Sequence, residues 1–185
     1  MLIGSKVILE DVQTESIDQL RIWRNDPELR RYFREWKDIS KAKQAEWYQT
    51  RGNNSSPGHV FFQVMSKDLL APTEELAVKQ RYLIGCCNLS YINFRLRSAE
   101  FGVYLSLTER GLGKGKEALE LLFDFGFKEA NLHRIWAEVY DNNSALELYR
   151  KLGFKDEGVL RDSCYHDGRY GNSNLISLLE GEWRV

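Results

Sequence analysis

Three glycines at alternate positions, Gly111, Gly113 and Gly115, lie between a predicted strand and a predicted helix, with cationic residues around them. Because glycine has no Cβ, several successive backbone N–H groups can converge on one anion. The helix that follows adds its own unpaired N–H groups and the positive end of its dipole. This pattern predicts a phosphate or pyrophosphate site, although a turn that uses glycine only for tightness fits the same spacing. The residues predicted to bind there are Arg110, Gly111, Leu112, Gly113, Lys114, Gly115 and Lys116.

The spacing of these glycines fits two common phosphate-binding loops poorly. The loop G-x-x-x-x-G-K-[ST] needs a hydroxyl residue after its lysine, and here Lys114 is followed by Gly115. The dinucleotide loop has the order G-x-G-x-x-G, whereas the order here is G-x-G-x-G. The pattern that fits is R-x-x-G-x-G at positions 110–115, directly after a predicted strand. It resembles the acetyl-CoA pyrophosphate loop of the GNAT superfamily of N-acetyltransferases.

A second motif follows the glycine loop after a predicted helix and strand. The segment 142–154, NNSALELYRKLGF, resembles the GNAT pattern N-x-x-A-x-x-L-Y-x-K-x-G-F. The segments 158–161, 167–170 and 177–179 are similar to the Rim-type branch of the superfamily, whose members acetylate protein N-termini. The triplet Trp-Arg-Asn at 23–25 is also similar to that branch, and it is shared with acetyltransferases that act on nucleotide-linked amino sugars.

The resemblance implies an α/β (α+β) fold of the GNAT type. Its sheet is expected to be mixed, mostly antiparallel and seven-stranded, with helices on both faces and a central parallel strand pair that splays apart. The sequence pattern agrees, because strand, helix and strand around the glycine loop predict a right-handed parallel crossover. We also expect a capping box at Ser144–Glu147, a hairpin turn at Asp167–Gly168 and an extended connection over 67–80. The length predicts one domain, residues 1–185.

The same resemblance assigns roles near the point where the central strands separate. Glu100 is expected to take the proton of the attacking amine, and Glu138 or a chain of water molecules is the alternative. Tyr149 is expected to protonate the leaving thiolate, and otherwise it is a core tyrosine. The remaining residues expected to bind acetyl-CoA are Val103, Tyr104, Leu105, Asn142 and Lys151, and those expected to bind the acceptor are Trp23, Arg24 and Asn25.

Composition narrows the classes of partner. The formal net charge is −1 and the basic residues are dispersed, so we expect no binding of nucleic acid. No apolar run approaches the roughly 20 residues of a membrane helix, and no signal peptide is predicted. The three cysteines include the adjacent pair Cys86–Cys87, which is no disulfide framework, so a reducing cytoplasm is expected. The three histidines lack ligand-like spacing, so no metal site is expected. Both a monomer and a homodimer remain open.

Together these patterns predict an acetyl-CoA-dependent N-acetyltransferase. The acetyl group is expected to pass directly to a primary amine in a ternary complex. A protein N-terminus, a small amine and an amino sugar are all open as acceptors. A non-catalytic acyl-CoA-binding sensor or scaffold is the first alternative, and a protein that binds nucleotide phosphates is the second.

Overall fold

The computed structural model describes residues 1–68 and 81–184, so the predicted connection over 67–80 lies outside the described residues from position 69 onward. The strands are β1 Leu2–Ile3, β2 Val7–Asp11, β3 His59–Ser66, β4 Tyr82–Asn93, β5 Ser98–Leu105, β6 Arg134–Tyr140, β7 Lys155–His166 and β8 Arg169–Leu179. The α-helices are α1 Ile17–Asn25, α2 Pro27–Arg30, α3 Lys41–Trp47, α4 Lys114–Asp124 and α5 Ala145–Lys151. π-helical turns at Tyr48–Gly52 and Phe125–Glu129 extend α3 and α4.

The strands form one mixed sheet with the order β1-β2-β3-β4-β5-β6-β8-β7. Every neighbouring pair is antiparallel except β5 and β6, which are connected through α4 and run parallel. The predicted mixed, mostly antiparallel sheet with one central parallel pair is therefore confirmed. The predicted number of seven strands is wrong by one. The additional strand is β1, where Leu2 pairs with Leu9 and Ile3 with Ile8, and it is too short to give an alternating pattern.

The parallel strands β5 and β6 are paired over only part of their lengths. Their last register pair is Glu100 opposite Trp136, whereas β5 continues to Leu105 and β6 continues to Tyr140. Beyond Glu100 the strands therefore separate, and the edge of each strand that faced the other has no strand partner. This separation confirms the predicted splayed pair and opens the sheet at its centre.

The helices cover both faces of the sheet, as predicted. Adjacent strand residues point to opposite faces, and Cys87 belongs to the main core whereas Cys86 belongs to a second cluster. In the main core α4 packs on β2, β4 and β5, and Phe123 of α4 meets Phe101 of β5 edge to face at 5.1 Å. The second cluster joins Leu20 of α1 to the opposite face. The strand ends at the opening are thus held between two packed layers.

Two local predictions had different outcomes. The hairpin turn is confirmed, since Asp167 and Gly168 have φ of 52° and 76°, which is the conformation of a type I′ turn. The capping box is wrong, because Ser144 has helical backbone angles and its side chain makes no cap hydrogen bond. Instead the N–H of Ala145 donates to the Oδ1 of Asn143 at 3.0 Å. The cap therefore lies one residue before the predicted position.

Within residues 1–68 and 81–184, no helix is long and apolar enough to cross a bilayer. In the same ranges no group of three or more His, Cys, Asp or Glu side chains could hold a metal ion. The three cysteines are free thiols.

Glu117 of α4 fixes the turn between β1 and β2 to the helix. Its carboxylate accepts hydrogen bonds from the N–H groups of Ser5, Lys6 and Val7 at 2.8, 2.6 and 2.8 Å, and from the Ser5 hydroxyl. Partial burial raises the pKa of Glu117, but these hydrogen bonds outweigh it and hold the pKa below its ordinary value. The turn that carries Lys6 is thereby held against the start of α4.

Glu117→Gln is expected to lower the free energy of unfolding by about 1 kcal/mol at pH 7, because charge-assisted hydrogen bonds are lost in a partly solvated site. The folded pKa lies below an unfolded value of about 4.3, so this contribution is present above that pH and disappears as the pH falls through the folded pKa. Urea unfolding at pH 7 and pH 3 measures the effect, with the exposed Glu46→Gln as control. If Glu117→Gln lowers the free energy of unfolding as much at pH 3 as at pH 7, the proposed contribution of the ionised Glu117 carboxylate is contradicted.

Candidate active site

A groove of about 460 Å³, here called the donor groove, opens where β5 leaves β6. Its wall combines the unpaired part of β5, the glycine loop before α4 and the first turns of α5. The wall is polar at the loop and apolar where Leu119 and Leu148 face the groove. The predicted site residues that line it are Val103, Tyr104, Leu105, Arg110, Gly111, Gly113, Gly115, Lys116 and Tyr149.

The glycine loop has a backbone suited to a diphosphate. Gly111 and Gly113 have φ of 75° and 79°, a region that other residues enter at a cost. Gly113 directly precedes α4, so the unpaired N–H groups of the first helical turn belong to the same loop. Arg110 and Lys116 add positive charge to the groove wall. The amide donors, the two cations and the apolar wall fit the diphosphate and the arm of a coenzyme A thioester.

Lys6 is a further cation at this loop, and the sequence patterns missed it. Its Nζ donates to the carbonyl oxygen of Leu112 at 2.9 Å across a separation of 106 residues. A Cβ on Gly113 would lie 2.8 Å from the same Nζ. Nothing in the local spacing indicates this contact, because it depends on how the turn between β1 and β2 packs against α4. Leu112 itself is about half exposed and lies outside the donor groove wall.

The structure corrects the predicted role of the Lys114 side chain. Its ammonium is buried and forms ion pairs with Glu109 at 2.5 Å and with Asp68 at 2.6 Å. It also donates to the Ser66 hydroxyl at 3.0 Å. Burial lowers the pKa of Lys114, but its two carboxylate partners outweigh that effect and raise it. The side chain therefore anchors α4 to β3, and only the backbone N–H of Lys114 remains a predicted phosphate donor.

Asn143, and not the predicted Asn142, lies on the wall of the donor groove. Asn142 is exposed, whereas Asn143 also caps α5 through its Oδ1. The N–H of Asn143 donates to the carbonyl of Tyr140 at 3.0 Å, and this contact fixes the residue at the end of β6. Lys151 is exposed on α5 and is absent from the groove wall, so its contact with the donor stays a prediction.

Tyr149 faces two cavities from the buried side of α5. Its ring packs edge to face on Phe101 with the centroids 5.0 Å apart. Burial raises the pKa of Tyr149 to about 12, and the nearby charge of Arg110 opposes that shift. The phenol is therefore protonated at neutral pH. It lines the donor groove and also a second cavity on the other side of the opening.

The second cavity, here called the acceptor cavity, has a volume of about 400 Å³ and contains the predicted carboxylates. Glu100 comes from β5 and Glu138 from β6, and their side chains are 13% and 17% exposed. The guanidinium of Arg34 bridges them, with Nη2 2.6 Å from Glu100 and 3.1 Å from Glu138. Partial burial lowers the pKa of Arg34, but hydrogen bonds and charge from the two carboxylates outweigh it and raise the pKa.

Arg34 was not predicted as a site residue. It belongs to the segment between α2 and α3, and its partner Glu100 is 66 residues away in the sequence. Phe33 and Glu35, its neighbours in the chain, line the acceptor cavity as well. No spacing rule links this segment to the central strands. The long-range contact brings the residues together only in the folded chain.

The predicted acceptor residues Trp23, Arg24 and Asn25 have three different surroundings. Trp23 packs in the cluster around Leu20. Arg24 pairs with Glu35 at 2.6 Å. The side chain of Asn25 exchanges two hydrogen bonds with the backbone of Ile39, at 2.9 and 2.8 Å. Asn25 therefore fixes the segment that carries Arg34, while direct contact of these three residues with an acceptor stays a prediction.

Comparison with known proteins decides the family. Residues 6–155 match the model of the acetyltransferase (GNAT) domain. The chain belongs to this family. It is an N-acetyltransferase of the GNAT type, and acetyl-CoA is its acyl donor.

Individual relatives agree with this assignment. The chain is 30% identical to the uncharacterized N-acetyltransferase p20 of Bacillus licheniformis over 98% of this chain and 97% of that protein. It is 32% identical to the spermidine N(1)-acetyltransferase of Vibrio cholerae over 105 residues, which cover 56% of this chain and 61% of the relative. A crystal structure of spermidine N-acetyltransferase from Vibrio cholerae with CoA and spermine superposes with a TM-score of 0.84. That structure is 24% identical and covers 97% of this chain and 98% of its own, and it supports the fold.

Gly113→Val is expected to abolish binding of acetyl-CoA. A β-branched residue at φ of 79° is strained, and its Cβ would press on the Nζ of Lys6. Isothermal titration with acetyl-CoA measures the loss, and Gly158→Ala on β7, where a Cβ meets nothing within 4 Å, is the control. Unchanged affinity in a folded Gly113→Val protein would show that this loop does not bind the donor.

Proposed function

We propose that this GNAT enzyme transfers an acetyl group from acetyl-CoA directly to a primary amine that enters through the acceptor cavity. The observation that carries the proposal is that Tyr149, Val103 and Asn143 line both cavities, so that donor and acceptor can meet beside one phenol. The thiols support direct transfer over an acetyl-cysteine intermediate. Burial raises the pKa of Cys86 to about 12 and also raises that of Cys87, which leaves both protonated and poor nucleophiles.

The first requirement of the reaction is a neutral amine. An alkylamine with a pKa near that of lysine, about 10.4, is protonated at neutral pH and must lose a proton before it attacks. We propose that Glu100 accepts this proton, directly or through water, because it lies at the last paired position of β5 and faces the acceptor cavity. Glu138 across the opening remains the alternative. Arg34 holds both carboxylates at the opening, where they attract the ammonium form of an acceptor.

The second requirement is a proton for the leaving thiolate. We propose Tyr149 as the donor, since its raised pKa keeps the phenol protonated. A free thiol has a pKa of about 8.5, so transfer from this phenol would be unfavourable in bulk water. Burial beside the same apolar ring also raises the pKa of the thiol, because both anions lose solvation. Loss of solvation therefore raises both pKa values in the same direction.

Two kinds of amine acceptor are favoured by different observations. The predicted Rim-type branch favours a protein N-terminus, and the spermidine enzyme among the relatives favours a polyamine. Glu35, Glu100 and Glu138 line the acceptor cavity, and these carboxylates favour any acceptor that arrives as a cation. We further propose that residues 1–185 form one domain, which the continuous sheet from β1 to β8 supports. A cytoplasmic location and the oligomeric state stay predictions.

Tyr149→Phe is expected to lower kcat by about 10²-fold, the usual scale for loss of a general acid, with little change in affinity for acetyl-CoA. The assay follows release of free thiol from acetyl-CoA with a panel of peptides, polyamines and amino sugars, and calorimetry measures donor affinity. Tyr165→Phe, an exposed tyrosine on β7, is the matched control.

Three results would contradict parts of this proposal. Normal turnover with a large loss of donor affinity would make Tyr149 a binding residue only. No thiol release from the parent enzyme with any amine, together with intact CoA binding, would favour a non-catalytic acyl-CoA-binding module. Thermal stabilisation by ATP and not by CoA would favour a nucleotide-binding protein.

Glu100→Gln is expected to lower kcat/KM by about 10²-fold or more at pH 7, and Glu138→Gln by less than about tenfold, because only one carboxylate takes the proton. The amide preserves the shape and removes the base. The loss in Glu100→Gln should shrink at high pH, where a larger share of the amine is already neutral. A larger loss of kcat/KM in Glu138→Gln than in Glu100→Gln would assign the base to Glu138.

A further inference from the structure

A third, smaller cavity of about 220 Å³, here called the distal cavity, adjoins the acceptor cavity. The two cavities share Asn88, Ser90 and Gly102 in their walls. Gly102 lies in the middle of β5, where a Cβ would come within 2.7 Å of the Asn88 side chain. A glycine inside a strand often marks a close approach of another group, and here that group is the Asn88 side chain. At this position β5 contributes only backbone to the wall that the two cavities share.

The strand register fixes the distance between the two ends of this passage. His59 of β3 is opposite Ser90 of β4, and Ser90 is opposite Glu100 of β5. Residues in register point to the same face of the sheet. Neighbouring strands are about 4.8 Å apart, so the backbone of His59 lies roughly 10 Å from that of Glu100. An acceptor with its amine at Glu100 reaches His59 if its body spans two strand spacings.

Polar atoms in the distal cavity lack partners in the described part of the chain. Gln44 is 2% exposed and its Nε2 donates to the carbonyl of Ile17 at 3.0 Å, while its Oε1 has no hydrogen bond. The Nδ1 of His59 is buried without a partner as well. Buried polar atoms without partners are costly, and a bound ligand removes that cost. Since Nε2 is engaged, Oε1 is the atom of Gln44 left to accept a hydrogen bond, from a ligand N–H or from water.

The charges of the two cavities differ in sign. The acceptor cavity has Arg34 with Glu35, Glu100 and Glu138, whereas the charged residues of the distal cavity are Arg24, Glu35 and Arg51. Arg24 and Glu35 form an ion pair at 2.6 Å, so their charges compensate each other. The remaining charge in the wall of the distal cavity is that of Arg51. No carboxylate of residues 1–68 or 81–184 forms an ion pair with Arg51. Burial and the charge of Arg51 lower the pKa of His59, so its ring is neutral and one nitrogen carries hydrogen.

The wall of the distal cavity contains a strained residue beside these groups. Tyr91 has φ of 54° and lies where the register between β4 and β5 shifts. Its ring meets the ring of His59 at 5.5 Å. Bulges and positive φ in a bulky residue are concentrated near functional sites. Trp47 and Phe61 complete an aromatic wall that suits an apolar acceptor body.

We propose that the acceptor is a primary amine with a carboxylate at its other end, of the size of a short peptide, with the amine at Glu100 and the carboxylate at Arg51 and His59. The inference rests on the proposed acetyl transfer and narrows its acceptor. Oε1 of Gln44 accepts from an amide N–H between the two charged ends. A polyamine places a second cation beside Arg51, where charge repulsion opposes it.

Matched acceptors test this arrangement without changing the enzyme. Thiol release from acetyl-CoA is measured with glycylleucine, its C-terminal amide, triglycine, its C-terminal amide and spermidine. The free-carboxylate peptides are expected to have KM values at least tenfold below those of their amides, with kcat within twofold. Spermidine is expected to have a kcat/KM below that of the better peptide.

The Arg51→Gln variant tests whether Arg51 binds the carboxylate. The readout is the difference in KM between each peptide and its amide, which a purely structural role of Arg51 would not change. The substitution is expected to raise KM about tenfold for the carboxylate peptides, to leave KM for the amides unchanged and to lower KM for spermidine, because the opposing charge is removed. Arg51→Glu is expected to reverse the preference between each peptide and its amide. Arg161→Gln, on β7 at the opposite edge of the sheet, is the matched control.

The outcomes separate this inference from the proposed function. Equal KM values for peptides and amides, or a preference for spermidine that Arg51→Gln leaves unchanged, would overturn the carboxylate site and leave acetyl transfer intact. No thiol release with any of the acceptors would overturn the proposed function and the inference with it.

Discussion

The hydrogen bonding between β5 and β6 ends at Glu100 and Trp136. The rest of the site depends on the separation of the two strands beyond these residues. A ladder that continued to Leu105 would close the sheet and remove both cavities. The main core holds the strands apart by packing on their inner side chains, among them Phe101 and Val139. On the β6 side, the pairing of β6 with β8 continues to Tyr140, so β6 stays paired with β8 beyond the point where its pairing with β5 ends.

The separated strands give one reaction site two entrances. Side chains alternate along a strand, and thus Glu100 and Gly102 face the acceptor cavity while Phe101 packs in the core beneath Tyr149. The donor groove ends in backbone N–H groups and cations, which suit phosphates. The acceptor cavity contains carboxylates, which suit an ammonium. The two sides of Tyr149 thus have opposite charge preferences, which is the arrangement that the proposed transfer requires.

Sequence patterns indicated those parts of the site whose residues are close together in the sequence. The glycine loop, the strand before it and Tyr149 all lie within one stretch of sequence, and their spacing carries the information. Lys6 and Arg34 could not be predicted in this way, because their contacts with Leu112 and Glu100 cross 106 and 66 residues. The ion pairs of the Lys114 side chain were missed partly for the same reason, since Asp68 comes from the segment after β3, although Glu109 is close in the sequence. Asn142 and Ser144 were displaced by one residue because Asn143 both caps α5 and lies on the groove wall.

We propose that the opening between β5 and β6 holds the acyl donor, with its diphosphate at Gly111–Gly115 and its thioester beside Tyr149. A crystal structure of the protein with CoA tests this most directly. We expect the diphosphate within hydrogen-bond distance of the amides of Gly113 and Gly115, and the sulfur next to the Tyr149 hydroxyl. CoA bound elsewhere on the protein, or in the opening with its sulfur remote from Tyr149, would contradict the account.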